Sequence, residues 1–205
     1  MNKDSLIKEL KKFGNKERAE HSKYFFKTGK GQYGEGDIFI GATVPECRVI
    51  SKKYKDLDKK SILELLKNPY HEVRLVSLHI LVLQYEDATK SKNDKEREVI
   101  FNFYFKNRKY INNWDLVDTS VYKIFGNYLF ENKKASEIKE VLTSLSNSKN
   151  LWDRRISIVS TYTFIKKGVF SHTLDIVLII KNDKEDLNHK ACGWMLREVG
   201  KKDEN

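Results

Sequence analysis

Residues 71–80, HEVRLVSLHI, decide the fold class of this sequence. Their apolar residues recur three and four positions apart, and the spacing continues to Leu83, which predicts a buried amphipathic helix. Proline costs about 3 kcal/mol in a helix interior. It occurs only at positions 45 and 69, where helices are expected to begin. The remainder of the chain is therefore free to be helical.

Segments similar to residues 71–80 start at three later positions. They are WDLVDTSVYKI from residue 114, WDRRISIVSTY from residue 152 and LNHKACGWML from residue 187, at successive offsets of 43, 38 and 35 residues. These offsets are close to the period of HEAT-type repeats, in which neighbouring helix pairs stack and bury a continuous core. We therefore predict an all-α fold, an α-solenoid of HEAT-like antiparallel helix pairs with a concave face, formed by one domain over residues 1–205.

Short polar breaks, such as Asn93-Asp94 and Asn132-Lys133, separate the helical segments. The predicted helices cover residues 4–12, 16–27, 45–54, 58–67, 71–90, 94–106, 113–131, 134–147, 151–167, 171–181 and 184–200. No segment has the alternating pattern of a strand.

One segment interrupts the helical pattern: residues 28–37, TGKGQYGEGD, contain four glycines in ten positions. Glycine permits tight turns and close backbone approach, so the segment is either an ordered loop between helices or a loop that approaches phosphate. It follows a helix and lacks the Gly-Lys-Ser/Thr ending of a P-loop, which argues against nucleotide binding. The ordered loop is favoured.

Composition and charge indicate a folded, basic protein. Lys and Arg number 39 against 29 Asp and Glu, which gives a net charge of +10. Such a charge favours a polyanionic partner, first of all nucleic acid, although a solvated lysine-rich surface is the alternative. No apolar run is long enough to span a membrane, so no membrane partner is expected. Residues 1–20 lack a secretory signal, and the distant Cys47 and Cys192 form no disulfide framework, which predicts a reducing, cytoplasmic location.

Residues 112–118, NNWDLVD, place two carboxylates beside an indole at the start of a predicted helix. Asp115 falls in the first turn, where the helix dipole stabilises a carboxylate by roughly 0.3–1 kcal/mol. Asp118 lies one turn further, on the same face as Trp114, and needs another reason.

The later repeats supply candidate partners for Asp118. Equivalent positions of stacked repeats lie side by side, so Asp118, Arg155 and Trp194 are expected to face one groove. The alternative is structural: Trp114 and Trp194 fill the core, and Asp118 pairs with Arg155 as an ion pair between repeats. Spacing alone favours the structural alternative.

Four ordered blocks carry a family resemblance. They are YFFKTGKGQYGEGDIFIGATVPECR, NNWDLVD, LWDRRISIVSTYTFIKKG and HKACGWMLREVGKKD, which extend from about residue 24 to residue 202. Together they closely resemble the AlkD-like family of bacterial HEAT-repeat DNA alkylpurine glycosylases. The resemblance implies a solenoid with a concave DNA-binding face that releases purines alkylated at N3 or N7 from double-stranded DNA.

Matched residue by residue, the resemblance assigns roles to individual side chains. It places the catalytic aspartate at Asp118, two groove-lining tryptophans at Trp114 and Trp194, a backbone-contacting arginine at Arg155, and a tyrosine near the lesion at Tyr24. Further candidates for phosphate contact are Arg154, Lys190 and Arg197.

The implied reaction suits these side chains. A purine alkylated at N3 or N7 is cationic, and cleavage of its glycosidic bond moves positive charge onto the deoxyribose. A carboxylate at Asp118 would stabilise that charge and orient or deprotonate the attacking water. Indole faces attract cations by about 0.5–2 kcal/mol, which suits Trp114 and Trp194. We expect a monomeric, monofunctional DNA glycosylase for lesions of the 3-methyladenine and 7-methylguanine type, acting in base excision repair.

No cofactor is expected, and the histidines show no His-x-x-x-His or His-Glu-x-x-His spacing for a metal site. Two other functions stay open: a non-catalytic module that binds distorted or branched DNA, and a protein-binding scaffold. The presence of Asp118 favours the enzyme, because a negative charge near phosphates would weaken a groove that only binds DNA.

Overall fold

Helices account for the regular structure of residues 2–203, the part of the chain that the computed structural model describes. No β-strand occurs within those residues, and an isolated parallel bridge links Ile38 to Tyr70. The helices are α1 (Lys3–Lys11), α2 (Lys16–Phe25), α3 (Val44–Lys53), α4 (Lys59–Leu66), α5 (His71–Lys90), α6 (Asp94–Asn107), α7 (Trp114–Val121), α8 (Asn127–Asn132), α9 (Ala135–Ser146), α10 (Leu151–Ser160), α11 (Tyr162–Lys166), α12 (Ser171–Ile180) and α13 (Asp186–Gly200). The prediction of an all-α fold is confirmed.

Two predicted helices are interrupted. A π-helical segment, Tyr122–Gly126, separates α7 from α8 within the predicted helix 113–131. Thr161 separates α10 from α11 within the predicted helix 151–167, although its backbone stays in the right-handed helical region. A short 3₁₀ turn, Arg108–Tyr110, follows α6.

The chain forms two compact units, Met1–Leu116 and Val117–Asn205. The prediction of one domain over residues 1–205 stays a prediction. Helix α7 begins at the end of the first unit, and its later residues belong to the second.

In the first unit, α3 and α4 pack against α5. Every residue from 71 to 82 is buried, so this part of α5 is surrounded on all sides and its polar side chains are buried as well. The carboxylate of Glu72 accepts hydrogen bonds from the backbone N–H groups of Ile40 and Gly41, at 2.9 and 2.7 Å. This contact fixes the chain before α3 to the N-terminus of α5.

The glycine-rich segment forms an ordered loop between α2 and α3, as favoured from the sequence. The side chain of Gln32 accepts a hydrogen bond from Gly29 N–H, and that of Glu35 accepts one from Gly31 N–H. The loop therefore satisfies part of its backbone internally and carries Asp37 to the N-terminus of α5.

In the second unit, α10 packs against α9, α12 and α13, and α12 packs against α13. The short connections between α9 and α10 and between α12 and α13 make these neighbours antiparallel, as HEAT-like pairs require. Gly126 permits the π-helical segment to approach α10 closely, because a Cβ atom there would overlap the carbonyl oxygen of Ser160. The hydroxyl of Thr163 donates a hydrogen bond to the carbonyl oxygen of Tyr122, at 2.6 Å.

Candidate functional site

A buried network of charged side chains holds the N-terminus of α7 in the first unit. The imidazole of His71 contacts two carboxylates: Nδ1 lies 3.0 Å from Asp37, and Nε2 lies 2.7 Å from Asp115. Arg74 donates hydrogen bonds to Asp37 and to the side chain of Asn112, both at 2.6 Å. The network therefore ties the glycine-rich loop and α5 to the first turn of α7.

The charges within this network determine the protonation of His71. Burial by itself lowers the pKa of His71, but the negative charge of Asp115 and hydrogen bonds to Asp115 and Asp37 outweigh burial and raise it to about 9. Burial likewise acts to raise the pKa of Asp37, but hydrogen bonding to His71 and the charge of Arg74 lower it overall. The network thus contains a buried imidazolium at neutral pH.

The sequence pattern does not predict this network, because the helix dipole by itself accounts for a carboxylate at Asp115. Asp37 and the neighbouring Asn113, which donates to it at 3.1 Å, are 76 positions apart. One signal was present: His71 and Trp114 begin the aligned repeat segments, which places their first turns in equivalent positions.

Aromatic rings cover the same end of α7. The ring of Phe26 stacks on that of Trp114, with centroids 5.3 Å apart and planes 18° apart, and also on that of Phe39. Phe25 meets Trp114 edge-on at 5.8 Å. Trp114 is half-buried, whereas the adjacent Tyr24 is 86% exposed. The first unit therefore packs Trp114 against two aromatic rings and leaves Tyr24 accessible.

An open cavity of about 620 Å³ adjoins Tyr24. It is lined by Glu20, Lys23, Tyr24, Phe25, Lys27, Thr28, Gly29 and Gln32. Aromatic and cationic side chains thus lie together at the C-terminus of α2 and the start of the glycine-rich loop.

Asp118 and Arg155 form a two-pronged ion pair in the second unit. Nε and Nη2 of Arg155 donate to the two carboxylate oxygens of Asp118, at 2.9 and 2.7 Å. The side chain of Arg155 is 6% exposed and that of Asp118 is 17% exposed. Nη1 of Arg155 donates to the backbone carbonyl of Leu187 on α13. The pair thus connects α7, α10 and α13.

The other predicted phosphate-binding residues have different environments. Arg154 donates to both oxygens of Asp183, at 2.6 and 3.0 Å, and to backbone carbonyls between α9 and α10. Lys190 is exposed and pairs with Asp186 at 2.6 Å, and Arg197 is exposed. Both arginines therefore donate to carboxylates of the second unit, Arg154 to Asp183 and Arg155 to Asp118. The predicted phosphate contacts of these residues stay predictions.

Trp194 lies on α13 and is half-buried. Its ring packs against that of Tyr162, with centroids 5.7 Å apart. The structure therefore brings Asp118 together with Arg155, and Trp114 together with the residues beside Tyr24. Trp194 packs within the second unit against Tyr162, which the sequence pattern does not identify as a site residue.

Residues 2–203 contain no cluster of three or more His, Cys, Asp or Glu side chains arranged to hold a metal ion. None of the helices in that range combines the length and apolar character required to cross a membrane. Cys47 and Cys192 are both buried free thiols.

Comparison with known proteins gives one family and one fold. The sequence model of a family described as DNA alkylation repair enzyme matches residues 6–205. The chain is also similar to a solved structure, a predicted DNA alkylation repair enzyme from Enterococcus faecalis, with a TM-score of 0.65 and 17% identity. That match covers 92% of this chain and 84% of the other, and at this identity it shows the fold alone. No curated protein matches the sequence significantly.

Proposed function

Because the chain belongs to the family of DNA alkylation repair enzymes, we propose that it is a monofunctional DNA glycosylase. In this proposal it hydrolyses the N-glycosidic bond of purines alkylated at N3 or N7, of the 3-methyladenine and 7-methylguanine type, in double-stranded DNA. The product is an abasic site, the substrate of the later steps of base excision repair. The proposed enzyme acts as a monomer, in the cytoplasm and without a cofactor.

The carboxylate of Asp118 carries the proposal, because it stays 17% exposed although it pairs with the more deeply buried Arg155. The guanidinium of Arg155 is the counter-ion of Asp118, with Nη2 2.7 Å from a carboxylate oxygen. Two parallel hydrogen bonds also fix the orientation of the carboxylate. Asp118 therefore presents its carboxylate in a fixed position.

The chemistry assigns Asp118 two tasks. As the glycosidic bond lengthens, positive charge develops on the deoxyribose, and a preorganised carboxylate stabilises that charge without rearranging at the moment of reaction. The same carboxylate accepts a proton from the water that attacks the sugar carbon, while the alkylated purine departs with the bonding electrons as a neutral base. Arg155 is then a positioning residue, since its donors are directed at Asp118 and at a backbone carbonyl.

Exposed aromatic and cationic side chains support DNA as the substrate. Tyr24 and Trp114 in the first unit, and Trp194, Lys190 and Arg197 in the second, retain accessible surface. The net charge of +10 adds a general attraction for phosphate, which depends on salt concentration.

Release of methylated bases from methylated duplex DNA tests the proposal. We expect release by the wild-type protein and a loss on the order of 10²-fold or more in Asp118→Asn. Asp175→Asn is the matched control, because Asp175 is a half-exposed carboxylate on α12 whose partner is Lys139. It should retain wild-type release.

A second variant separates chemistry from folding. Arg155→Gln breaks the same ion pair but keeps the carboxylate of Asp118, so it should lose less activity than Asp118→Asn. Circular dichroism at the assay temperature shows whether each variant is folded. No release by the wild-type protein would refute the glycosylase function, and equal release by wild type and folded Asp118→Asn would refute the role of Asp118.

A further inference from the structure

Three half-buried rings form a continuous aromatic row in the second unit: Tyr122, Tyr162 and Trp194. The rings of Tyr122 and Tyr162 meet edge-to-face with centroids 5.1 Å apart, and the ring of Trp194 follows at 5.7 Å from Tyr162. Each ring comes from a different element, the π-helical segment, α11 and α13, and α11 packs against both of the others.

Two lysine ammonium groups lie over the aromatic row. Nζ of Lys166 is 5.4 Å from the centroid of Tyr122 and equally far from that of Tyr162, while Nζ of Lys123 is 5.8 Å from that of Tyr122. Across residues 2–203, no carboxylate forms an ion pair with either lysine. Lys190 differs, because it is paired with Asp186 at 2.6 Å.

A lysine that contacts an aromatic ring keeps its net charge available, whereas a lysine that contacts a carboxylate is neutralised. A cation within about 6 Å of a ring centroid is attracted to the face of the ring, but the ring carries no net charge. Tyr122 and Tyr162 therefore hold the ammonium of Lys166 in place without neutralising it. The aromatic row presents a positioned positive charge, which is complementary to an anion.

Two residues of the aromatic row lie on the same helix faces as Asp118 and Arg155. Tyr122 follows Asp118 by four residues, one helical step on the same face. Tyr162 follows Arg155 by seven residues, two turns further along a backbone that stays helical through Thr161. The row therefore lies on the same side of the second unit as the ion pair.

We propose that Lys166, positioned by Tyr122 and Tyr162, binds a backbone phosphate of the DNA strand that passes Asp118. Lys123 adds a weaker contact to the same backbone. This inference rests on DNA being the substrate, and it concerns binding rather than bond cleavage. The aromatic rings position Lys166, and the ring edges that remain exposed pack against deoxyribose.

The test is equilibrium binding of an undamaged DNA duplex at a series of salt concentrations. Loss of one phosphate contact lowers the magnitude of the slope of log K against log salt by about 0.9. We expect this change in Lys166→Gln, with binding weakened by roughly an order of magnitude at low salt. Lys167→Gln is the matched control, because it removes the same charge from the adjacent exposed residue and should leave the slope unchanged.

Two ring variants test whether the row positions Lys166. Tyr162→Phe keeps the ring and should bind DNA as the wild type does, whereas Tyr162→Leu should bind about two- to fivefold more weakly. Thermal unfolding shows that each variant is folded. Equal slopes for Lys166→Gln and wild type would overturn the inference, and so would equal binding by the two Tyr162 variants. Absence of DNA binding by the wild type would overturn this inference and the proposed function together. Binding without base release would overturn only the proposed reaction.

Discussion

The buried imidazolium of His71 makes the stability of the first unit depend on pH. The side chain of His71 is 3% exposed, and its pKa of about 9 lies above the ordinary value of 6.5. A group whose pKa is higher in the folded state binds its proton more tightly there. Its contribution is fully present below pH 6.5, and it is lost as the pH rises from 6.5 to about 9.

The size of the effect follows from that interval. At about 1.4 kcal/mol for each pKa unit, the rise from 6.5 to about 9 corresponds to roughly 3 kcal/mol of unfolding free energy. The shifted pKa values of one other histidine and of the two cysteines act outside this window. Burial lowers the pKa of His172, so that group acts below pH 6.5. Burial raises the pKa of Cys47 to about 12 and that of Cys192 to about 11, so the thiols act above their ordinary value of 9.0.

Urea unfolding of the wild type and of His71→Gln between pH 6.5 and 8.5 measures the effect. The amide of glutamine keeps hydrogen-bonding capacity but takes up no proton in this range. We expect the wild type to lose on the order of 2 kcal/mol across the window, and His71→Gln to show a nearly flat profile. Each profile is followed by far-ultraviolet circular dichroism, which reports the helices directly.

A flat or rising wild-type profile would refute the argument, because it would mean that His71 is neutral in the folded protein. A falling profile that persists unchanged in His71→Gln would assign the proton to another group. Either result would remove the imidazolium from the network that holds the first turn of α7.

Two further predictions concern stability. Arg155→Met removes the guanidinium that pairs with Asp118 and should lower the unfolding free energy by about 3 kcal/mol, whereas the double variant Arg155→Met/Asp118→Leu should recover most of the loss. Urea denaturation of both variants checks this, and additive effects of the two substitutions would contradict it. Gly41→Ala should cost more than about 2 kcal/mol, because Gly41 has a φ of +83° and a Cβ atom would overlap the carbonyl oxygen of Asn15. Gly193→Ala, at an exposed helical position with no heavy atom within 4 Å, is its control and should stabilise by up to about 1 kcal/mol.

The positions of the helices could be predicted because local rules determine them. Asn15 and Asp58 cap α2 and α4 through their side chains, and Thr43 and Glu46 form a capping box at α3. The periodic spacing of apolar residues then fixes each helix interior. These signals lie within a few residues of one another, so every predicted helix has a counterpart in the structure.

The interruptions of helices depend on packing instead. Within the π-helical segment, the apolar residues have the same spacing as in an ordinary α-helix. Gly126 meets the backbone of Ser160, and the carbonyl of Tyr122 accepts from Thr163, so the reason for the interruption lies on α10 and α11. No pattern confined to residues 113–131 contains that information.

The candidate site shows the same division. The aligned repeats allowed an ion pair between Asp118 and Arg155, and that pair is observed. The contacts of His71 with Asp37 and Asp115 were not predicted, because they depend on the path of the glycine-rich loop. Helical periodicity does not determine the path of a loop.

The π-helical segment also determines how the side chains of α7 are rotated about the helix axis relative to those of α8. A π turn accommodates one residue more than an α turn, and one residue of an α-helix corresponds to about 100° of rotation. In an uninterrupted α-helix, Asp118 would point in a different direction relative to Leu129 in α8. The π-helical segment rotates it by about 100° from that direction. A single-codon deletion within residues 122–126 would shorten the protein by one residue and turn the carboxylate away from the guanidinium of Arg155. The number of residues between Asp118 and Leu129 therefore determines the direction in which the carboxylate points, and with it the contact with Arg155.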